Sequence, residues 1–287
     1  MVILNGSKVA ESILYEISLR IQELKGEGKR IPRLDMIIVG DDYGSIKYVG
    51  MKERAVKQVG MLGEVHHLDE NIDTKNLLDL TDSLNKDPNV DGYMIQLPLP
   101  SHIGKNRVLQ SIAPDKDVDG LTPTNLGKLF QKDRTGIPPA TPVGIMKLLE
   151  YYNIKLLGKN VVILGASSII GKPLAAMMLE KNATVTICNS HTLNTQDVAR
   201  TADILISATG KPLLIKGNYL KPGCVVIDVG SNKHPETGKL VGDVDWDSVQ
   251  GIPSHITPVP GGVGPMTIAC LMLNLMNCYE NGNRQEN

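Results

Sequence analysis

Residues 159–190 read KNVVILGASSIIGKPLAAMMLEKNATVTICNS, which parses as an apolar strand at 161–164, a turn of small residues from Gly165, a helix from Gly171 and a second strand at 184–188. Parallel strands need a crossover of a dozen or more residues, and a helix supplies it. Further strands fit 204–207 and 225–229. The first part of the chain repeats the alternation: a helix over 7–25 with Ser7 as N-cap, a strand over 34–39, a helix from Ser45, a short strand near Val65, a polar helix over 74–84, and a strand over 93–96 broken by Pro98 and Pro100. Such alternation predicts an α/β fold with a mostly parallel sheet covered on both faces. Ligands of these sheets sit beyond the carboxyl ends of the strands, where Gln96 and its loop fall.

The 287 residues are enough for two domains. The stretch 120–142, with Pro123, Pro138, Pro139 and Pro142, is the candidate interdomain connection, and ITPVPGGVGPMT opens a last helix with Pro265 in its first turn. A formal net charge of -1 provides no basic excess for nucleic acid or an acidic membrane. No apolar run approaches the ~20 residues that span a bilayer, and the start lacks the basic leader of a signal peptide. Cys188, Cys224, Cys270 and Cys278 form no CxxC or metal spacing and read as thiols of a reducing, cytoplasmic compartment; no structural metal is expected.

The helix from Ser45 carries a lysine in an unusual place. At 100° per residue, Ser45, Tyr48, Val49, Lys52, Ala55, Val56 and Val59 share one face, while Lys47, Arg54, Lys57 and Gln58 point the other way. Lys52 thus lies within the stripe that must meet protein. An ammonium in low dielectric has its pKa pushed down, which makes the amine a candidate proton acceptor near neutral pH. The competing reading is a side chain that snorkels to water. Tyr48 and Ser45, stacked on the same face, favour a site.

The small-residue turn after 161–164 lets backbone N–H groups and a helix N-terminus approach a pyrophosphate. Its glycine spacing is not GxGxxG, and a tight βα turn without ligand is the alternative. Asn189, Ser190 and His191 follow the next strand, where an acid would bind the free ribose hydroxyls of NAD; a hydroxyl and an imidazole suit the 2′-phosphate of NADP better. In PDKDVDGLTPTNL, Asp115, Asp117, Asp119 and Gly120 imitate a calcium loop, but position twelve is Leu126 and calcium is rejected. A solvated acidic turn, or one carboxylate aimed into a cleft, remains. The glycines of PVPGGVGPMT make a rigid turn and permit a flat ligand to lie on the backbone.

Taken together, YVGMK, DGYMIQLPLP, PDKDVDG, TPVG, GASSIIGKP, VIDVGSN, GDVDW and TPVPGGVGPMT, in this order over nearly the whole chain, resemble the bifunctional methylenetetrahydrofolate dehydrogenase/cyclohydrolase family. The resemblance implies a catalytic α/β domain of residues 1–121 and 262–287, and a Rossmann-type NADP-binding domain with a parallel sheet at 122–261. Lys52 is similar to the catalytic lysine, Tyr48 to the tyrosine of the pterin site, Gln96 to the glutamine that bonds the lysine, and Asp119 to the aspartate that grips the pterin. Ser45, Ile95 and Leu97 join them as substrate contacts, with Pro260, Gly261, Gly262, Val263 and Gly264 on the loop that closes over folate and nicotinamide. Gly165, Ala166, Ser167, Ser190 and Ser231 fall on cofactor positions. Many members have arginine where this chain has Ala166, and lysine or arginine where it has His191.

The implied activity is NADP-dependent oxidation of methylenetetrahydrofolate, then hydrolysis of the methenyl product to formyltetrahydrofolate. The implied setting is a homodimer in one-carbon metabolism and purine biosynthesis. A non-catalytic dinucleotide sensor on the same fold, or a dehydrogenase for another small substrate, are the alternatives; the sensor leaves Lys52, Gln96 and Asp119 unexplained.

Overall fold

The structure is a computed structural model that describes residues 1–285. It divides into two compact units, one of residues 1–10 and 141–267, the other of residues 11–140 and 268 onward. In chain order the elements begin β1 (Val2–Ile3), α1 (Gly6–Gly26), β2 (Arg33–Val39), α2 (Tyr43–Val59), β3 (Leu62–Leu68), α3 (Thr74–Lys86), β4 (Gly92–Ile95), α4 (Lys105–Gln110) and α5 (Pro123–Phe130). They continue with α6 (Ala140–Tyr151), β5 (Asn160–Leu164), α7 (Gly171–Glu180), β6 (Thr184–Cys188), α8 (Thr195–Ala199) and β7 (Ile204–Ser207). Last come β8 (Val225–Asp228), β9 (Asn232–Lys233), β10 (Leu240–Val241), β11 (His255–Ile256) and α9 (Val263–Gln285).

The unit of residues 11–140 and 268 onward is built on a parallel three-stranded sheet in the order β3-β2-β4. Central β2 is buried along nearly its whole length, as expected of a parallel strand covered on both faces. Ile37, Val39, Leu77, Tyr93 and Ile95 lie in one apolar cluster on this sheet. Asp35, fully buried on β2, is held by Arg33 Nε at 2.7 Å and by His66 Nε2 at 2.8 Å, and Arg33 also reaches Glu64 at 2.8 Å. These acids and His66 come close enough to share a cation, and the Arg33 guanidinium already supplies one.

Within the proline-rich stretch 120–142, residues 120–140 carry α5 and belong to this unit, and the change of unit falls between Ala140 and Thr141. Two buried asparagines explain how an irregular segment tolerates burial. Asn125 Nδ2 donates to Pro114 O and Asp117 Oδ2, and Asn274 Nδ2 donates to Val118 O at 2.8 Å and Pro138 O at 2.9 Å. Buried carbonyls that no strand or helix satisfies thereby find donors.

The other unit holds a six-stranded sheet, order β1-β11-β8-β7-β5-β6, with every pairing parallel. Val162, Leu164, Leu205, Val226 and Ile256 form its core with Ala199, Leu220 and Val249. β1 joins this sheet through Val2 and Ile3 opposite His255 and Ile256. Two residues are too few to show the alternation that marks a strand. Helix α1 is capped by Asn5, whose Oδ1 accepts Lys8 N at 3.0 Å, rather than by Ser7. Among the described residues no helix is long and apolar enough to cross a membrane.

Candidate active site

The candidate residues fall into two groups, one in each unit. In the unit built on β3-β2-β4, helix α2 begins two residues before the expected Ser45, because the Asp42 carboxylate accepts the Ser45 N–H at 2.8 Å. This satisfies one of the orphan donors of the first turn. Gly60, in the left-handed region, closes the helix. Ser45, Val49, Lys52, Ala55, Val56 and Val59 are buried and Tyr48 is half-buried, which is the stripe the spacing predicts.

The Lys52 side chain does not snorkel. The residue is 7% exposed, and its Nζ donates to Gln96 Oε1 at 3.0 Å and Met94 Sδ at 3.0 Å. β4 places Met94 inside the unit and ends at Ile95, so Gln96 sits just past the carboxyl end of the strand. Gln96 Nε2 donates to Leu97 O at 2.7 Å, which leaves Oε1 for the ammonium. Desolvation pushes the Lys52 pKa down, and the charge of Asp119 partly offsets it. Removing an ammonium from water costs several kcal/mol, and two neutral acceptors do not replace a full hydration shell.

Among the three acids of 115–119, the structure separates two functions. Asp117, almost fully buried, accepts from Leu121 N, Thr122 N and Asn125 Nδ2 and so organises the start of α5. Asp119 is half-buried, and its carboxyl is pushed up by burial, with Lys52 pulling it back and Asp117 adding to the rise. Asp119 and Lys52 therefore feel each other's charge. The Ser45 hydroxyl is buried with no hydrogen-bond partner among the described residues. Ile95 and Leu97 flank Gln96, and Leu97–Pro98 is cis.

In the unit of the six-stranded sheet, the turn after β5 carries Gly165, Ala166 and Ser167 at the strand's carboxyl end. The start of α7 packs so closely on this turn that a Cβ on Gly171 would lie 1.9 Å from Gly165 O. Ser167 Oγ accepts Ile170 N at 3.1 Å. After β6 the chain folds on itself, with Asn189 Oδ1 accepting His191 N and Thr192 Oγ1 accepting Asn189 N. Ser190 and His191 are exposed, as is Ser231 after β8. Hydroxyls and an imidazole without a carboxylate side chain after β6 are a donor set suited to a phosphate. Pro260, Gly261, Gly262, Val263 and Gly264 lead into α9; Val259–Pro260 is cis, and Gly261 O accepts Ser7 N at 3.0 Å.

Sequence reasoning overlooked Met94, whose residue type fits any buried strand, and Asp228 and Asp243, which stand in the motifs VIDVGSN and GDVDW without an assigned task. An acid closing the apolar run VVID was the available signal.

Comparison with known proteins bears on both groups. Residues 4–119 match the family model described as tetrahydrofolate dehydrogenase/cyclohydrolase, catalytic domain, and residues 139–283 match the NAD(P)-binding domain of the same family. A bifunctional protein FolD from Hydrogenobaculum is 47% identical over 281 residues, covering 98% of this chain and 99% of that protein. The Campylobacter jejuni FolD structure superposes with a TM-score of 0.95 at 44% identity, covering 98% of this chain and 99% of that one. The Trypanosoma brucei dehydrogenase-cyclohydrolase, complexed with NADP cofactor and inhibitor, also gives 0.95, at 36% identity and 99% of each chain.

Proposed function

The chain belongs to the tetrahydrofolate dehydrogenase/cyclohydrolase family, and on that premise we propose how its own residues perform the two reactions. It is a bifunctional enzyme that oxidises methylenetetrahydrofolate with NADP and hydrolyses the methenyl product to formyltetrahydrofolate. The single observation that carries the mechanistic reading is the buried Lys52, bonded to Gln96 and Met94 and charge-coupled to Asp119.

When bound, NADP supplies the hydride acceptor. Gly165, Ala166, Ser167, Ser190 and Ser231 are assigned to hold it, with Ser190 and His191 toward the 2′-phosphate. The oxidised methenyl carbon shares its positive charge with two folate nitrogens, so this step needs alignment more than acid or base. Hydrolysis then adds water to that carbon, and a proton must leave the water and return to a nitrogen. Lys52 is the proton carrier: burial lowers its pKa, so the neutral amine is easier to reach than in a solvated lysine. Gln96 holds the amine, and Tyr48, one turn earlier on α2, lines the same face.

Asp119 is assigned to the pterin edge, where a carboxylate accepts two N–H donors. Ser45, Ile95 and Leu97 complete the substrate side around Lys52, and family resemblance adds Pro260, Gly261, Gly262, Val263 and Gly264. A homodimer in the cytoplasm, contributing to purine biosynthesis, completes the reading.

Steady-state assays of methylenetetrahydrofolate oxidation with NADP and NAD, together with hydrolysis of added methenyltetrahydrofolate, test it. Turnover in both steps with NADP preferred is expected. Cofactor binding without either turnover would leave only a sensor, and sedimentation decides the dimer.

A further inference from the structure

The six-stranded unit buries two carboxylates that the chemistry above does not use. Asp228 ends β8 and is 4% exposed; Asp243 follows β10 and is fully buried. Neither has a cationic partner among the described residues. N–H and O–H donors surround them instead. Asp228 Oδ1 accepts Gly230 N at 2.8 Å and Asp243 N at 3.0 Å, and its Oδ2 accepts Val244 N at 2.9 Å. Asp243 Oδ2 accepts Ser207 Oγ at 3.0 Å and Thr209 N at 2.6 Å, and its Oδ1 accepts Asn232 Nδ2 at 2.8 Å.

These bonds join three segments: 207–209 at the carboxyl end of β7, 230–232 beyond β8, and 243–244. The backbone comes close to do it. A Cβ on Gly242 would lie 1.8 Å from Asp228 Oδ2, so only glycine lets the following N–H groups reach the carboxylate. The first two segments leave the carboxyl ends of neighbouring parallel strands, where ligands of such sheets sit. Ser231 lies between Gly230 and Asn232, both tied to the pair.

Stability alone is a poor reason for this arrangement. Apolar residues of equal volume usually serve as well as a buried ionic group, or better. Burial also drives the Asp228 pKa up to about 6, a measure of what ionisation costs there. What a carboxylate offers and an apolar side chain does not is several acceptor directions at fixed angles.

We propose that Asp228 and Asp243 form a clasp that positions Ser231 and the Thr209 turn for the dinucleotide, making both acids positioning residues for the oxidation step. The proposal rests on the cofactor reading above.

The bifunctional chemistry supplies an internal control, because hydrolysis of added methenyltetrahydrofolate consumes no dinucleotide. In Asp243→Asn the amide NH₂ either faces the Thr209 N–H or forces the Asn232 carboxamide to turn over. The NADP dissociation constant and the dehydrogenase KM for NADP are expected to rise roughly ten-fold. Hydrolysis should stay within about two-fold, since Lys52 belongs to the other unit. Asn232→Ala cuts one arm at a partly exposed position; a rise in the NADP dissociation constant of roughly three-fold is expected, and it decides the matter should Asp243→Asn not fold.

Undiminished NADP binding by a folded variant overturns the clasp. So does an equal loss of both activities in Asp243→Asn with no change in Asn232→Ala, which marks a purely structural pair. If the parent protein itself does not bind NADP in titration, the cofactor reading fails instead, and the clasp with it.

Discussion

Lys52 Nζ and Gln96 Oε1 lie 3.0 Å apart, and the other end of the same amide donates to Leu97 O at 2.7 Å. Were the amide turned over, its NH₂ would face the ammonium and its oxygen the carbonyl. The backbone therefore sets which end of Gln96 Lys52 meets. With Met94 Sδ taking a second N–H, a neutral Lys52 keeps its lone pair away from both acceptors. Proton transfer is confined to the directions that remain.

Lys52→Met is expected to lower hydrolysis of methenyltetrahydrofolate by about 10²-fold or more, the usual scale of a lost acid-base group. Removal of a buried charge leaves the stem packed, so thermal stability should hold or rise. Hydrolysis at the parent rate would remove Lys52 from the mechanism.

Met94→Leu keeps the volume and deletes an acceptor. An acceptor favours the ammonium over the amine, so its loss moves the Lys52 pKa further down. The rise of hydrolysis with pH should shift to lower pH, with a smaller kcat from looser alignment, while NADP binding is unchanged. A pH–rate profile superimposable on that of the parent denies the thioether this role.

Asp119→Asn should weaken folate binding far more than NADP binding, because an amide offers a pterin edge one oxygen and a mismatched NH₂. It also deletes the charge that supports the Lys52 ammonium, moving the lysine pKa down again. Separate titrations with folate and NADP check this; equal losses for both ligands would point to folding instead.

Ala166→Arg should tighten NADP and leave NAD nearly unchanged, since a planar guanidinium fork fits phosphate oxygens. Ala166 is half-buried in the turn after β5 and Ser190 and His191 are exposed; on the proposed cofactor reading a hydroxyl and an imidazole are weaker phosphate partners than a guanidinium. Dissociation constants for the two dinucleotides settle the point, and a gain for both alike counts against a 2′-phosphate site.

Asp228 yields a stability prediction. Its folded pKa is about 6, raised from the ordinary 3.8 chiefly by burial. The folded state thus holds the proton more tightly than the unfolded chain. Ionisation of this group costs stability above pH about 6, and the cost disappears as pH falls toward about 4. Relative to Asp228→Asn, the parent should gain stability between pH about 7.5 and about 5, read from urea midpoints. A difference that stays constant across that range shows no raised pKa.

The long elements were legible because period and burial agree in them. β6 and β7 run over 184–188 and 204–207, as the apolar runs indicate, and the α2 stripe fell on the expected residues. What escaped was set by tertiary contact. β1 is visible only through its pairing with β11, and the irregular stretch 120–142 is held by asparagine side chains that composition does not reveal. In the candidate site, Lys52 stood out because a cation contradicts its apolar neighbours. Met94 contradicts nothing, and a sulfur acceptor is invisible until its distance to Nζ is known.

The pairing of β1 with β11 bears on how the chain is completed during synthesis. Val2 and Ile3 are made long before their partners His255 and Ile256. The three-stranded unit has a similar debt: Asn274 and Tyr279 of α9 bond to Val118, Pro138 and Arg30. Contacts between the first and last parts of a chain form only after the entropy of closing the intervening loop has been met. The six-stranded unit therefore waits for β11 and the three-stranded unit for α9. Each core stays unfinished until its late partner has been made.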